Sequence, residues 1–153
     1  MLYANESMRN QTRGLGVAAG IVGGNGFSYL FLPDEGIGYH AAGIIVKSPS
    51  LTYLSLGIEP LKVLHKGNST ALYLVSGIGF KLLKETESEY RYISGKGYYA
   101  ESSKTTNTLS FGAGLGGVYQ SSGRLVANME FLMAFWDERI IPMPQIGFYY
   151  MLW

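Results

Sequence analysis

Through most of the chain from residue 13 onward, apolar side chains recur with a period of two, and the i, i+3, i+4 stripe of a helix does not. The alternation divides into segments at roughly 13–23, 26–32, 36–47, 51–61, 70–84, 107–120, 124–136 and 142–153, each predicted to be a strand. Most reach the ~9–11 residues that a tilted strand needs to cross the hydrocarbon layer of a bilayer.

The two faces of these strands differ in kind. In the seventh segment Leu125, Ala127, Met129, Phe131, Met133 and Phe135 lie opposite Arg124, Val126, Asn128, Glu130 and Leu132. The fifth sets Leu72, Leu74, Ile78, Phe80 and Leu82 against Tyr73, Gly77, Gly79 and Lys81. In the sixth, Leu109, Phe111, Ala113 and Leu115 oppose Ser110, Gly112, Gly114 and Gly116. The first places Leu15, Val17, Ala19 and Ile21 opposite Gly14, Gly16, Ala18 and Gly20. One face is large and apolar; the other is read as too small and too polar for a bulky hydrophobic core. That is the apolar-out, polar-in pattern of a transmembrane barrel. Glycine faces suit the narrow interior of an eight-stranded one.

The connections fit an up-and-down topology. Pro33-Asp34-Glu35-Gly36, Lys66-Gly67-Asn68-Ser69 and Ser121-Ser122-Gly123 are compact turns after the second, fourth and sixth segments, so all fall at one rim. The other rim receives the connections near 23–26, 47–50, 84–107 and 137–141. Pro60, Pro142 and Pro144 cannot donate to a ladder, so they are expected at strand ends, with the fourth strand leaving the membrane by Pro60 and the eighth entering it after Pro144.

Composition narrows the function. Charged residues are 15% of the chain, against about 25% in soluble domains. A net charge of +1 offers no attraction to nucleic acid, and the absence of cysteine removes disulfides, thiol nucleophiles and thiolate metal sites. No apolar run is long enough for a transmembrane helix. The polar stretch over residues 1–12 is expected to be a flexible segment ahead of a single barrel domain at 13–153. It lacks the apolar core of a signal peptide, so an exported chain of this sequence is expected to be either a mature form or a recombinant one.

The segment from Gln145 to Trp153 resembles the C-terminal assembly signal of bacterial outer-membrane proteins. Gln145, Gly147, Tyr150 and Leu152 stand at its polar, glycine and hydrophobic positions, and Trp153 lies one residue beyond its usual end. From residue 13 onward the chain resembles the small eight-stranded barrels of the OmpA-transmembrane-domain and OmpX-like group. The resemblance implies an all-β, antiparallel up-and-down barrel in a bacterial outer membrane, with short periplasmic turns and one long extracellular hairpin. It also implies outer-membrane lipid and lipopolysaccharide as surroundings, and the outer-membrane assembly machinery as a partner. No cofactor or metal is expected.

Three sets of residues are candidate sites. His40, Glu59, Lys81, Arg124 and Glu130 are expected inside the barrel or at its ends, as a polar network standing in for a core. Among barrels of this kind, lipid-modifying enzymes use a His and a Ser; the deacylase type carries them two residues apart. Neither His40 nor His65 has such a neighbour, and no convergence of nucleophile, base and orienter is legible in the sequence. The glycine pairs lack the helix and the Lys–Ser/Thr ending of a phosphate loop. Between Lys84 and Thr106, Tyr90 and Tyr92 alternate with Glu89 and Arg91, a turn follows at Ser94-Gly95-Lys96-Gly97, and Tyr98 and Tyr99 come after it. Tyr90, Tyr92, Lys96, Tyr98 and Tyr99 are the candidate binding residues. A hairpin rising above the membrane is predicted there, with the Tyr-, Ser- and Gly-rich composition of adaptable binding surfaces. The leading expectation is a non-enzymatic structural or binding barrel, with a place as accessory subunit of a larger assembly left open. A narrow conduit for small or apolar molecules, and a lipid-modifying enzyme, are the alternatives.

Overall fold

The computed structural model describes residues 12–93, 96–136 and 138–152, with the backbone alone for 88–93, 96–100 and 122. Among them are eight strands: β1 (Arg13–Ala19), β2 (Gly26–Phe31), β3 (Gly36–Lys47), β4 (Leu51–Lys66), β5 (Thr70–Ile93), β6 (Lys96–Ser122), β7 (Leu125–Trp136) and β8 (Arg139–Met151). Each pairs antiparallel with the next, and β8 closes the ring on β1 from Gly14↔Met151 to Ala19↔Ile146.

The outer face is the apolar one. Phe27 is 78% exposed, Met129 67% and Leu115 59%, values that only an apolar solvent makes favourable for so many large side chains. Tyr29, Phe31 and Tyr39 stack on the outside of β2 and β3, with ring centroids 5.7 and 5.4 Å apart for the two neighbouring pairs. Rings with one wet and one dry side are characteristic of such belts.

Inside, the lumen is layered. Its periplasmic third is apolar: Leu30, Leu32, Leu61, Val75, Val118, Val126 and Met151 are all buried. The inner face is therefore not uniformly small and polar, and the sequence reading is corrected here. Below this layer Lys66 closes the end, donating from Nζ to the Leu32 carbonyl at 2.9 Å and pairing with Asp34 at 3.0 Å. A polar layer occupies the middle. Above it, residues 20–25 turn inward and fill the remaining space, with Val22, Gly23 and Gly24 buried.

Three strand limits depart from expectation, and one prediction of length is met. β1 stops at Ala19 rather than at residue 23, so Ile21 belongs to the inward loop and not to the lipid face. β4 runs past Pro60 to Lys66; Pro60 pairs with Tyr39 of β3, while the β4–β5 ladder skips Glu59 and Pro60 between Ile58↔Ile78 and Leu61↔Val75. The missing donor is thus absorbed by a local gap in the ladder rather than by ending the strand. β8 begins at Arg139, before both of its prolines, in a stretch that pairs with β7 alone because β1 has already ended. β5 and β6 continue the predicted hairpin as one ladder from Thr70↔Tyr119 to Ile93↔Lys96.

Candidate functional site

The polar layer is built from inward positions on six strands. Register places His40 beside Leu30 on β2 and Glu59 on β4, so its imidazole lies between the two walls. His40 Nδ1 and Glu59 Oε2 are 2.6 Å apart. His40 Nε2 is hydrogen-bonded to Ser28 Oγ at 2.8 Å and to Tyr149 Oη at 2.9 Å, and those two oxygens are themselves 2.9 Å apart. Across the lumen, Gln145 Nε2 donates to Glu59 Oε1 at 2.7 Å and to Glu130 Oε2 at 2.8 Å. Tyr73 Oη donates to Glu130 Oε1 at 2.8 Å and to Asn128 Oδ1 at 2.5 Å, and Asn128 Nδ2 donates to Glu130 Oε1 at 3.1 Å. Every one of these side chains is buried. Low dielectric makes each bond strong and each missing partner costly.

The same network holds the inward loop. Gln145 Oε1 accepts from Val22 N at 3.0 Å and Gly23 N at 2.8 Å. Ser110 Oγ donates to the Ile21 carbonyl at 2.8 Å, and Asn25 N donates to Ser55 Oγ at 3.0 Å. Asn25 Nδ2 reaches Tyr53 Oη at 2.8 Å. The wall opposite is bare by design of sequence: a Cβ on Gly57 would strike the backbone of Gly23 and Gly24, one on Gly79 the carbonyls of Ile21 and Val22, and one on Gly112 the Val22 side chain.

Of the five predicted lumen residues, His40, Glu59 and Glu130 meet in this layer. Lys81 and Arg124 do not. Lys81 sits higher on β5, half-buried, and makes no ion pair with either glutamate. Arg124 lies at the periplasmic end, where Nη1 donates to the Leu152 carbonyl at 3.2 Å. Inward parity places the two cations in the lumen or at its ends, at heights that differ from those of the acids, and pairs them with neither glutamate. Ser28, Tyr73, Asn128 and Tyr149 were missed. One signal was present for the tyrosines: Tyr73 pairs with Gly116 and Tyr149 with Gly16, a ring facing a bare position across the ladder.

Ser28, His40 and Glu59 do converge in the hydrogen-bonding order of a nucleophile, base and orienter, contrary to the sequence reading. Tyr149 occupies the corner between Ser28 Oγ and His40 Nε2, where a substrate carbonyl would have to approach, and Ser28 is 5% exposed. This geometry holds four strands together, and Tyr149 fills the place from which a substrate would be attacked. His40, Glu59 and Glu130 also bring ligand atoms within 4.8 Å of one another. The Gln145 amide already stands between the two carboxylates, and an ion there would have to displace it.

Of the residues put forward as an assembly signal, Gln145 and Gly147 point inward and Tyr150 outward, and Leu152 is half-buried. Trp153 lies outside the described residues. So do residues 1–11 of the expected flexible segment; Thr12 is described, and its carbonyl accepts from Leu32 N at 2.8 Å. At the hairpin the backbone pairs Tyr90 with Tyr99, Arg91 with Tyr98, and Tyr92 with Gly97, while the side chains of Tyr90, Tyr92, Lys96, Tyr98 and Tyr99 lie outside the described residues.

No family model matches the sequence, and no curated protein matches it. Solved structures do. The N-terminal β-barrel domain of Pseudomonas aeruginosa OprF aligns at a TM-score of 0.50 and 12% identity, over 93% of this chain and 96% of that one. The attachment invasion locus protein Ail of Yersinia pestis aligns at a TM-score of 0.46 and 17% identity, over 93% of this chain and 97% of that one. Ail has also been solved with the heparin analogue sucrose octasulfate. The fold is that of the small eight-stranded outer-membrane barrels. With its exposed apolar belt, the chain is an integral membrane β-barrel.

Proposed function

We propose that this outer-membrane barrel is a non-enzymatic binding protein whose exposed β5–β6 hairpin makes the contact, with a host surface, a ligand or a neighbouring membrane protein. One observation carries the reading: β5 and β6 are 24 and 27 residues long, while β4 reaches β5 only as far as Glu85 and β7 reaches β6 only as far as Phe111. Beyond those points the ribbon stands alone, well past the ~9–11 residues that a crossing needs. Its described side chains from Glu101 to Asn107 are all exposed, and they are Ser-, Thr- and charge-rich rather than apolar. A ribbon kept this long without a membrane to cross is suited to contact. An open conduit is disfavoured by the three filled layers of the lumen.

The test is adhesion. Cells displaying the full barrel are compared with cells displaying a form in which residues 86–103 are replaced by Asn-Gly, for attachment to host cells and to immobilised matrix polysaccharide. Attachment that drops to the background of barrel-free cells supports the reading. Equal attachment by both forms overturns it.

A further inference from the structure

The barrel wall is incomplete on one side. β1 and β2 are 7 and 6 residues long, too short to cross the hydrocarbon layer. Above Gly43, β3 pairs only with β4, from Ile44 to Lys47, and above Ile146, β8 pairs only with β7, from Arg139 to Gln145. Two strands' width is therefore missing between β3 and β8 in the outer-leaflet half. Pro142 and Pro144 stand on that free edge of β8, where a strand with no neighbour can carry them. Behind the gap lies only the loop 20–25, held by side chains rather than by a ladder.

We propose that this gap is a lateral opening and that residues 20–25 are a displaceable plug over a binding site for a small apolar molecule bearing one hydroxyl or amine. The chemistry follows from what the plug leaves behind. Gly57, Gly77, Gly79 and Gly112 form a bare wall, closed below by Leu132, against which Val22 packs. An apolar body replaces Val22 there. Gln145 Oε1 loses both of its donors, while its amide group remains fixed on Glu59 and Glu130. The floor then presents an acceptor, so the occupant must bring a donor. Outward-facing Ile45 of β3 and Ile140 of β8, 70% and 69% exposed, flank the opening, so it faces hydrocarbon and the molecule arrives from the outer leaflet and not from water. Glycines at 20, 23, 24 and 26 give the plug its freedom to move, with Gly24 and Gly26 at φ +83° and +118°.

The chain has no cysteine, so a tether can be introduced cleanly. Asn25 and Ser55 touch, with Nδ2 3.4 Å from Oγ, and Asn25→Cys with Ser55→Cys pins the plug when oxidised. The probe is 1-aminoanthracene, read as saturable fluorescence above that of empty vesicles, with full-length barrel in lipid. Wild type and the reduced double variant bind; oxidation weakens binding at least tenfold, and reduction restores it. Ile21→Gly with Val22→Gly, which empties the space without a tether, binds more tightly than wild type. Binding that is unchanged by oxidation overturns the proposal, and so does the absence of saturable binding in both wild type and the double-glycine variant.

Discussion

The β1–β2 and β5–β6 hairpins depart from a bilayer-length crossing in opposite directions. The first stops about halfway, with strands of 7 and 6 residues; the second runs on to 24 and 27. Both face the same constraint: a backbone N–H or C=O left unpaired in lipid is costly, and Pro142 and Pro144 remove two donors from the free edge of β8. Where the wall ends inside the membrane, the chain turns into the lumen and its groups go to Gln145, Ser110 and Ser55. Where the wall overshoots, the freed edges of β5 and β6 meet water. The short side thus requires a dedicated interior, and the long side requires none.

That difference orders the expected effects of substitution. Glu59 supports the short side from beneath, by holding His40 and the Gln145 amide. Glu59→Ala leaves the His40 Nδ1 side without its partner and the Gln145 amide with Glu130 alone, in a dry site, and is expected to cost about 3–5 kcal/mol in urea unfolding from vesicles. A loss under about 1 kcal/mol would mean that the layer is not what holds the interior. Met129→Arg probes the belt common to both sides and should cost about 2–4 kcal/mol, while Ser103→Arg on the free ribbon stays within about 0.5 kcal/mol. Equal costs for the two would contradict the assignment of lipid and water faces.

A third substitution separates the two hairpins directly. A Cβ at Gly57 meets the backbone of the plug, whereas one at Gly117 meets only Leu72 and Ala71, at 3.4 and 3.6 Å. Gly57→Val should therefore cost about 1–3 kcal/mol and make a cysteine at position 22 reactive to thiol reagents. Gly117→Val should do neither. A cysteine at 22 that stays protected in the Gly57 variant would show that the plug does not depend on the bare wall.

Much of this was legible in the alternation. The lipid face of β5, β6 and β7 reads off residue by residue, because parity alone decides which side of a strand meets lipid. The hairpin tip near 94–97 was legible from Ser94-Gly95-Lys96-Gly97 between two tyrosine-rich arms. Parity fails where the chain leaves the sheet. Leu15, Val17, Ala19 and Ile21 keep a perfect period of two, yet Ile21 is already in the plug, since an apolar residue suits the lumen beside bare glycines as well as it suits lipid. Gln145 shows a second limit. It was read for its place in a C-terminal pattern, and its bonds to Val22 and Gly23 span more than a hundred residues, which no local pattern encodes.

The smallest expected effect is on the long side. Replacing residues 86–103 by Asn-Gly joins Glu85 to Lys104, which already face each other across the ladder, through a turn whose twist suits a two-residue hairpin. None of the segment's described side chains belongs to the polar layer, the plug or the apolar floor. Its backbone bonds exchange for bonds to water. Unfolding in vesicles is therefore expected to shift by no more than about 0.5 kcal/mol, within the range of surface changes away from any buried feature. A shift several times larger would mean that the ribbon braces the barrel. The contrast between a side that needs its interior and a side that is free of it would then no longer hold, and the length of β5 and β6 would have a structural cause rather than a binding one.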